Sequence, residues 1–275
     1  MLLKYIDVSG HQKEIDWEKV KGNIDGVIIR AGYGKNNIDA FWKRNAAECN
    51  RFDIPCGAYW FSYAYTATMA QREAEYLVRA VENYRMELPL AFDFEYDSIR
   101  YAESCGVTVT KELATEMAYA FCEAVERAGY FCLNYANPDF LSRYFNESVP
   151  ERFGLWLAQY PLAIKDLSKP PRKCLIWQWG GSDIPGITTG KTDTNAVYQD
   201  LKAVIETAGM NRLTPKEPEP WYKEAMDWAK RIGIITEERP EDPMTRAEAV
   251  QLLYNYYSKG VGAGTGDTRF ADREE

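Results

Sequence analysis

The chain has 275 residues, of which 46% are hydrophobic and 14% aromatic, and a formal charge of −8 at pH 7. That length supports one large core plus a small appendage, and the acidic balance excludes nucleic acid or an anionic membrane surface as the main partner. No stretch reaches the ~20 apolar residues of a membrane helix, so no membrane insertion is expected. Met1-Leu2-Leu3-Lys4 runs straight into strand-like sequence instead of a hydrophobic signal core, so synthesis in the cytoplasm without a signal peptide is expected. Strand-like and helix-like runs then alternate: Lys4 to Val8, Asp16 to Lys21, Gly26 to Ala31 and Ala40 to Phe52. Cys56 to Tyr63 reads as a strand. A helix opens near Thr68, with Gln71 completing a capping box, and runs to Tyr84. A strand over Leu88 to Tyr96 follows, then a helix from Thr110 to Ala128 closed by Gly129. After a strand over Phe131 to Ala136, Asn137-Pro138 opens a short helix. Three apolar runs end the series, Gly154 to Tyr160, Cys174 to Trp179 and Thr194 to Gln199, with no helix between the first two.

About eight strands result, and no glycine-rich dinucleotide turn follows the first. The pattern predicts an α/β fold, a parallel barrel that loses its helices late in the chain, with its site at the carboxyl ends of the strands. The six cysteines lack CxxC spacing, and Cys56, Cys122, Cys132 and Cys174 lie in apolar patterns, so they read as buried free thiols.

The chemistry concentrates in Leu90-Ala91-Phe92-Asp93-Phe94-Glu95-Tyr96-Asp97. On a strand, residues two apart share a face, which puts Asp93 and Glu95 about 7 Å apart at the backbone. Paired carboxylates raise each other's proton affinity, so one can donate a proton near neutral pH while the other stays ionised, as glycosidic bond cleavage requires. Asp7 ends the first strand and meets them at the same barrel face. The other reading of such acids is that they simply face water at a strand end. His11 is the single histidine, which leaves a nucleophile-histidine-aspartate scheme one possible base and excludes a histidine-rich metal site. No metal and no cofactor are expected, and Gly32-Tyr33-Gly34 reads as a plain turn. Eight Trp and nineteen Tyr suit stacking on sugar rings, although most aromatics serve the core. Tyr59, Phe61 and Tyr63 share one strand face and could line a groove with Tyr135, Trp156 and Trp179; Tyr59, Tyr135 and Trp179 are the preferred sugar contacts.

Taken together, Tyr5-Ile6-Asp7-Val8-Ser9-Gly10-His11-Gln12, Ile15-Asp16-Trp17, Val27 to Gly34, Gly57-Ala58-Tyr59-Trp60-Phe61, Asp93-Phe94-Glu95, Asn134 to Asn137, Leu155 to Tyr160, Ile176-Trp177-Gln178-Trp179 and Asp193-Thr194-Asn195 resemble the ordered motifs of family 25 glycoside hydrolases, the Chalaropsis-type lysozymes. The resemblance covers about residues 3 to 205. It implies a flattened TIM-like barrel of five βα units and three further strands. It also implies an N-acetylmuramidase acting on peptidoglycan glycan strands at the β-1,4 bond between N-acetylmuramic acid and N-acetylglucosamine. Carried over, Glu95 is the general acid and Asp93 stabilises either an oxazolinium formed by the substrate's acetamido group or an oxocarbenium-like centre. Asp7 and Asp193 complete the acidic cluster. Trp60 replaces a histidine common in the family, and Thr194 stands at a position more often apolar. The absence of a recognisable signal suits a phage-type endolysin, released to the wall through a separate membrane lesion, with export as the other route.

Residues 1–212 are thus expected to form the catalytic barrel. The proline- and glutamate-rich 213–220 stretch reads as a semi-rigid linker, and 221–275 as a helical module, with Thr245 and Glu248 spaced as a capping box. This last part resembles a single S-layer homology repeat, which implies binding to a secondary cell-wall polymer; a helical pair that packs on the barrel or mediates self-association is the other reading. Two competing functions stand beside muramidase. One is a chitinase-like glycosidase, which lacks support because that family's longer acidic run is absent and Ala91 stands where it carries an aspartate. The other is a non-catalytic wall polysaccharide-binding protein, against which the intact acids argue.

Overall fold

A computed structural model describes residues 2–161 and 166–211, together with the isolated positions 231, 249 and 250. The chain divides into two compact units, Met1–Lys216 and Glu217–Glu275. The 213–220 linker lies outside the described residues, as does the 221–275 module apart from those three positions.

The strands are β1 (Leu3–Val8), β2 (Gly26–Tyr33), β3 (Asn37–Ile38), β4 (Cys56–Phe61), β5 (Leu90–Asp93), β6 (Cys132–Ala136), β7 (Leu155–Ala158), β8 (Ile176–Ser182) and β9 (Thr192–Val197). Their order is β1-β9-β8-β7-β6-β5-β4-β2-β3, and pairing of β1 with β2 closes eight of them into a barrel, with β3 a short flange on β2. The predicted all-parallel arrangement needs one correction: β9 is antiparallel to both β8 and β1. The connector between β8 and β9, residues 183–191, is too short for the crossover a parallel pair needs.

Period-two alternation explains the layers. Outward residues such as Ile6, Val8, Val27, Ile29, Phe92 and Leu157 join the core beneath the helices, whereas Tyr5, Ile28, Ala91, Leu133, Ile176 and Val197 fill the barrel itself. The interior is tight. A side chain at Gly26 would meet Leu88 Cδ1 at 2.7 Å and Tyr5 Cε1 at 2.9 Å, so only glycine lets Leu88 and the Tyr5 ring pack across the barrel floor. Asn211 closes that floor: its Nδ2 donates to the carbonyls of Met86 and Leu88, both at 3.0 Å, and its Oδ1 accepts from the Phe131 N–H at 2.7 Å.

The helices are α1 (Trp17–Val20), α2 (Trp42–Arg51), α3 (Ala67–Val81), α4 (Tyr96–Ser104), α5 (Lys111–Arg127), α6 (Pro138–Arg143), α7 (Ser148–Phe153) and α8 (Leu201–Ala208). Helix α5 buries Ala114, Met117, Ala118, Phe121, Cys122 and Val125, an apolar stripe at helical spacing. Thr110 and Asn137 cap α5 and α6 as their sequences predict. For α3 the cap is Thr66, which accepts from the Met69 N–H, and not Thr68. The strand predicted to reach Tyr96 stops at Asp93, because α4 begins three residues later and Glu95 is its N-cap residue. Cys49, Cys56, Cys122 and Cys132 are buried thiols, Cys174 is half-buried and Cys105 exposed. No helix among the described residues is long and apolar enough to cross a membrane.

Candidate active site

A cavity of about 520 Å³ opens at the carboxyl end of the parallel strands, and Asp7, Asp93, Glu95 and Asp193 all line it. Each arrives by a different local route. Asp7 and Asp93 are the last inward residues of β1 and β5. Asp193 lies near the start of β9, and because β9 runs antiparallel its start meets the other strands' ends. Glu95 stands beyond its strand, where the backbone N–H donates to Ser98 Oγ at 3.0 Å and Ser98 Oγ donates to the Ser62 carbonyl at 2.6 Å. Ser62 N–H in turn donates to the Asp93 carbonyl at 2.7 Å. These bonds tie the ends of β4 and β5 to the first turn of α4, so the Asp93 and Glu95 backbones are held by the scaffold and not by a mobile loop.

Asp7 is the best partnered of the four. Its Oδ2 accepts from Gln178 Nε2 and Asn195 Nδ2, both at 2.9 Å. The two amides are themselves fixed: Tyr135 and Tyr160 hydroxyls donate to Gln178 Oε1 at 2.8 and 2.5 Å, and Trp156 Nε1 donates to Asn195 Oδ1 at 2.7 Å. Burial, reinforced by the charge of Asp193, pushes the Asp7 carboxyl up to about 7 against the pull of the two amide donors.

Asp93 is 5% exposed, and its Oδ1 has no hydrogen-bond partner. Burial holds its carboxyl well above the usual range, Glu95 and Asp7 push it further, and the Arg30 guanidinium opposes them. Arg30 is anchored by Asp39 through Nε and a second guanidinium nitrogen, each 2.8 Å from Oδ2. Glu95 is half-buried, and its carboxyl is raised mainly by burial, with the hydrogen bond from Asp93 acting against that rise and the charges of Asp97 and Asp193 adding to it. Neither flanking ring provides that burial: Phe94 stacks on Phe92 in the outer layer, and Tyr96 is 42% exposed. Asp193 sits at the exposed rim, where partial burial still raises it. With four carboxyls of raised proton affinity in one cavity, ionising one disfavours ionising the next.

Of the aromatics singled out from sequence, Tyr59, Phe61, Tyr135 and Trp156 line the cavity. Tyr59 and Phe61 are half-exposed and can offer ring surface, while Tyr135 and Trp156, edge to face at 4.9 Å, form a buried wall. Trp179 is a correction. It packs with Trp177 against the outer core, because the two tryptophans share one strand face and Gln178 between them takes the inward one. Tyr63 likewise turns away, into a neighbouring cavity. Sequence reasoning passed over Gln178, Asn195, Tyr160 and Arg30, although all four lie inside motifs it singled out. A glutamine between two tryptophans in a buried strand was the available signal, since a buried amide requires partners.

The sequence profile described as glycosyl hydrolases family 25 matches residues 6–187. Among solved structures, the modular autolysin LytC of Streptococcus pneumoniae, determined with a synthetic peptidoglycan ligand, is 26% identical with a TM-score of 0.61. The match covers 72% of this chain and 47% of LytC, so the chain spans about half the length of that relative. A family 25 glycosyl hydrolase from Bacillus anthracis is 25% identical with a TM-score of 0.59, covering 74% of this chain and 92% of that one. The catalytic domain of endolysin ply40, from bacteriophage P40 of Listeria monocytogenes, shares the fold at 18% identity and a TM-score of 0.61, over 75% of this chain and 98% of its own. No curated protein sequence gives a significant match.

Proposed function

The chain belongs to glycosyl hydrolases family 25, and from that premise we propose that it cleaves the β-1,4 bond between N-acetylmuramic acid and N-acetylglucosamine in peptidoglycan. The observation that carries this reading is the Asp93–Glu95 pair: two carboxyls lining one cavity, one almost fully buried and one half-buried, both with raised proton affinity.

One proton shared by two carboxyls supplies both roles the reaction needs. In the free protein the more buried Asp93 holds it and donates to Glu95. A glycan strand filling the cavity expels water from around Glu95, which raises that group's proton affinity and draws the proton onto the carboxyl that can reach a glycosidic oxygen. Glu95 then acts as general acid toward the leaving oxygen, and the Asp93 left ionised behind it stabilises positive charge at the sugar. That charge resides on an oxazolinium formed by the substrate's acetamido group or on an oxocarbenium-like centre. Asp7, held by Gln178 and Asn195, supplies in its ionised form a second negative charge at the cavity floor. Tyr59 and Phe61 offer ring faces for sugar stacking, and Asp193 at the rim tunes the cluster. We read the biological outcome as cell-wall lysis, the role named for the autolysin and endolysin relatives. Residues 213–220 then serve as a linker, and 221–275 as a module that retains the barrel on wall polymers.

Glu95→Gln keeps the shape of the side chain and removes the acid. On purified peptidoglycan the protein is expected to release N-acetylmuramic acid reducing ends, and the variant to lose about 100-fold or more of that rate. If neither protein releases sugar ends while both pellet with walls, the barrel is a binding scaffold and the muramidase reading fails.

A further inference from the structure

A second cavity, of about 360 Å³, adjoins the first on the same rim of the barrel. Phe61 faces the catalytic cavity and Tyr63 the second one, with their ring centroids 5.2 Å apart. The walls are Tyr63, Tyr65, Tyr76 and Tyr101, with Tyr101 edge-on to Tyr63 at 5.2 Å and tilted against Tyr65 at 6.2 Å. Tyr63 and Tyr65 are half-buried and Tyr101 is 44% exposed, so these three offer ring surface to the opening, while Tyr76 packs against Trp60 and already carries the Arg79 guanidinium over its ring at 5.0 Å.

Behind the rings lies Glu73 of α3, which is 3% exposed and also contributes to the cavity wall. Its Oε1 accepts the Tyr63 N–H at 3.0 Å, but its Oε2 is buried with no partner. A buried carboxylate oxygen without a donor is costly unless a cation approaches. Burial pushes this carboxyl up to about 7 against the pull of the Ser62 hydroxyl and the Tyr63 N–H, so it ionises readily near neutral pH once a positive charge arrives. Tyrosine faces attract cations through their ring quadrupoles, and a ring cage backed by a carboxylate is a chemical match for an ammonium group. Lys35 and Arg72 stand exposed at the same opening, where they would repel a bare cation but pair with carboxylates flanking it. The preferred ligand is therefore an ammonium group set among carboxylates.

We propose that this cavity binds the side-chain ammonium of a diamino acid in a wall stem peptide while the attached glycan strand occupies the catalytic cavity. The inference rests on the muramidase reading for its substrate and adds a peptide subsite to it.

The test titrates the full chain calorimetrically with the N-terminally acetylated tetrapeptide N-acetyl-L-Ala-γ-D-Glu-L-Lys-D-Ala, whose single ammonium is the lysine side chain, and with its Nε-acetylated counterpart, and repeats both with Tyr101→Ala and Glu73→Gln. The free amine is expected to bind about tenfold more tightly than the acetylated peptide, and each variant is expected to lose that preference. Equal affinity for the two peptides, or a preference that survives Tyr101→Ala, overturns the proposal. Tyr101 is exposed, so its variant keeps the test decisive even if Glu73→Gln disturbs the Tyr63 backbone. Hydrolysis of peptide-free glycan by the unmodified protein is measured alongside: failure there sinks the muramidase reading, whereas loss of the peptide preference alone sinks only the subsite.

Discussion

The lower and upper halves of the barrel interior are built from the same strands, yet one step of two residues separates a dry core from a charged cavity. Tyr5 gives way to Asp7 on β1, Ile28 to Arg30 on β2, Ala91 to Asp93 on β5, Leu133 to Tyr135 on β6 and Ile176 to Gln178 on β8. On β9 the same step runs backwards, from Val197 through Asn195 to Asp193. The difference teaches how the fold tolerates its site. The lower half supplies apolar burial and a closed floor, and the upper half carries carboxyls whose ionised forms are disfavoured by that same burial. Stability and chemistry are divided along the strand axis, with the closed sheet holding the two halves in register.

The largest effect that tests this division is in the lower half. Leu133 is fully buried in the barrel core, so Leu133→Ala is expected to cost about 3 kcal/mol of unfolding free energy through lost contacts and a residual cavity. Denaturant titration measures the loss, and activity per folded molecule is expected to stay close to that of the unaltered protein. A comparable drop in specific activity would mean that the two halves are not separable. The upper half is expected to respond in the opposite sense. Asp7→Asn should lower the hydrolysis rate by about 10- to 100-fold by removing a fixed charge while stabilising the fold at alkaline pH. The sign follows from a carboxyl raised from 3.8 to about 7 in the folded state. Between those values the folded chain holds a proton that the unfolded chain has released, so the stabilisation present below pH 3.8 is lost as pH rises through about 7. An amide has no such penalty. A melting temperature at pH 8 some 2 to 5 °C above that of the unaltered protein is expected, and a lower one would show that the Gln178 and Asn195 contacts outweigh the cost of burying the charge.

The two halves differ in how far sequence alone exposes them. The lower half was legible as apolar alternation, and so were the main helices, because the caps Thr110 and Asn137 and the positive-φ Gly129 mark their ends. The acids were legible as well, but Asp93 and Glu95 meet through a strand end and a helix N-cap instead of through strand parity. The expected shared face thus reached the right pair by a local geometry the chain does not adopt. Parity misled at Trp179 and could have corrected itself: Trp177 and Trp179 must share a face, so assigning either to the helix layer sends Gln178 inward. The direction of β9 was hidden in its residues, since a short strand reads alike both ways, but not in its connector, whose nine residues from Asp183 to Lys191 rule out a crossover. The Asp7 network was the least legible part, because it joins residues 171 and 188 positions apart and only barrel closure brings them together.

A smaller effect probes the support beneath Asp7. Tyr160 is 57% exposed and donates to Gln178 Oε1, which also accepts from Tyr135. Tyr160→Phe removes one of two donors, and the remaining bond keeps the amide oriented toward Asp7. A fall in kcat of about threefold is expected, with a melting temperature within about 1 °C of the unaltered protein's because the site is exposed. Loss of activity as deep as in Asp7→Asn would move Tyr160 from a positioning residue to one that touches substrate.

The smallest effect separates burial from charge at the acid itself. Glu95 owes its raised proton affinity first to burial, against the hydrogen bond from Asp93, and only then to the neighbouring charges of Asp97 and Asp193. Asp193 is exposed at the rim, where solvent and salt screen its field. Removing its charge in Asp193→Asn lowers the pKa of Glu95, so the alkaline limb of the pH profile of kcat/KM moves to lower pH. Because the field is screened, the displacement should shrink as ionic strength rises, whereas a limb set by burial alone would stay in place at every salt concentration. An unmoved limb at low salt would therefore assign the tuning of Glu95 wholly to the dry wall that the upper half shares with the lower, and leave Asp193 as a rim contact for substrate.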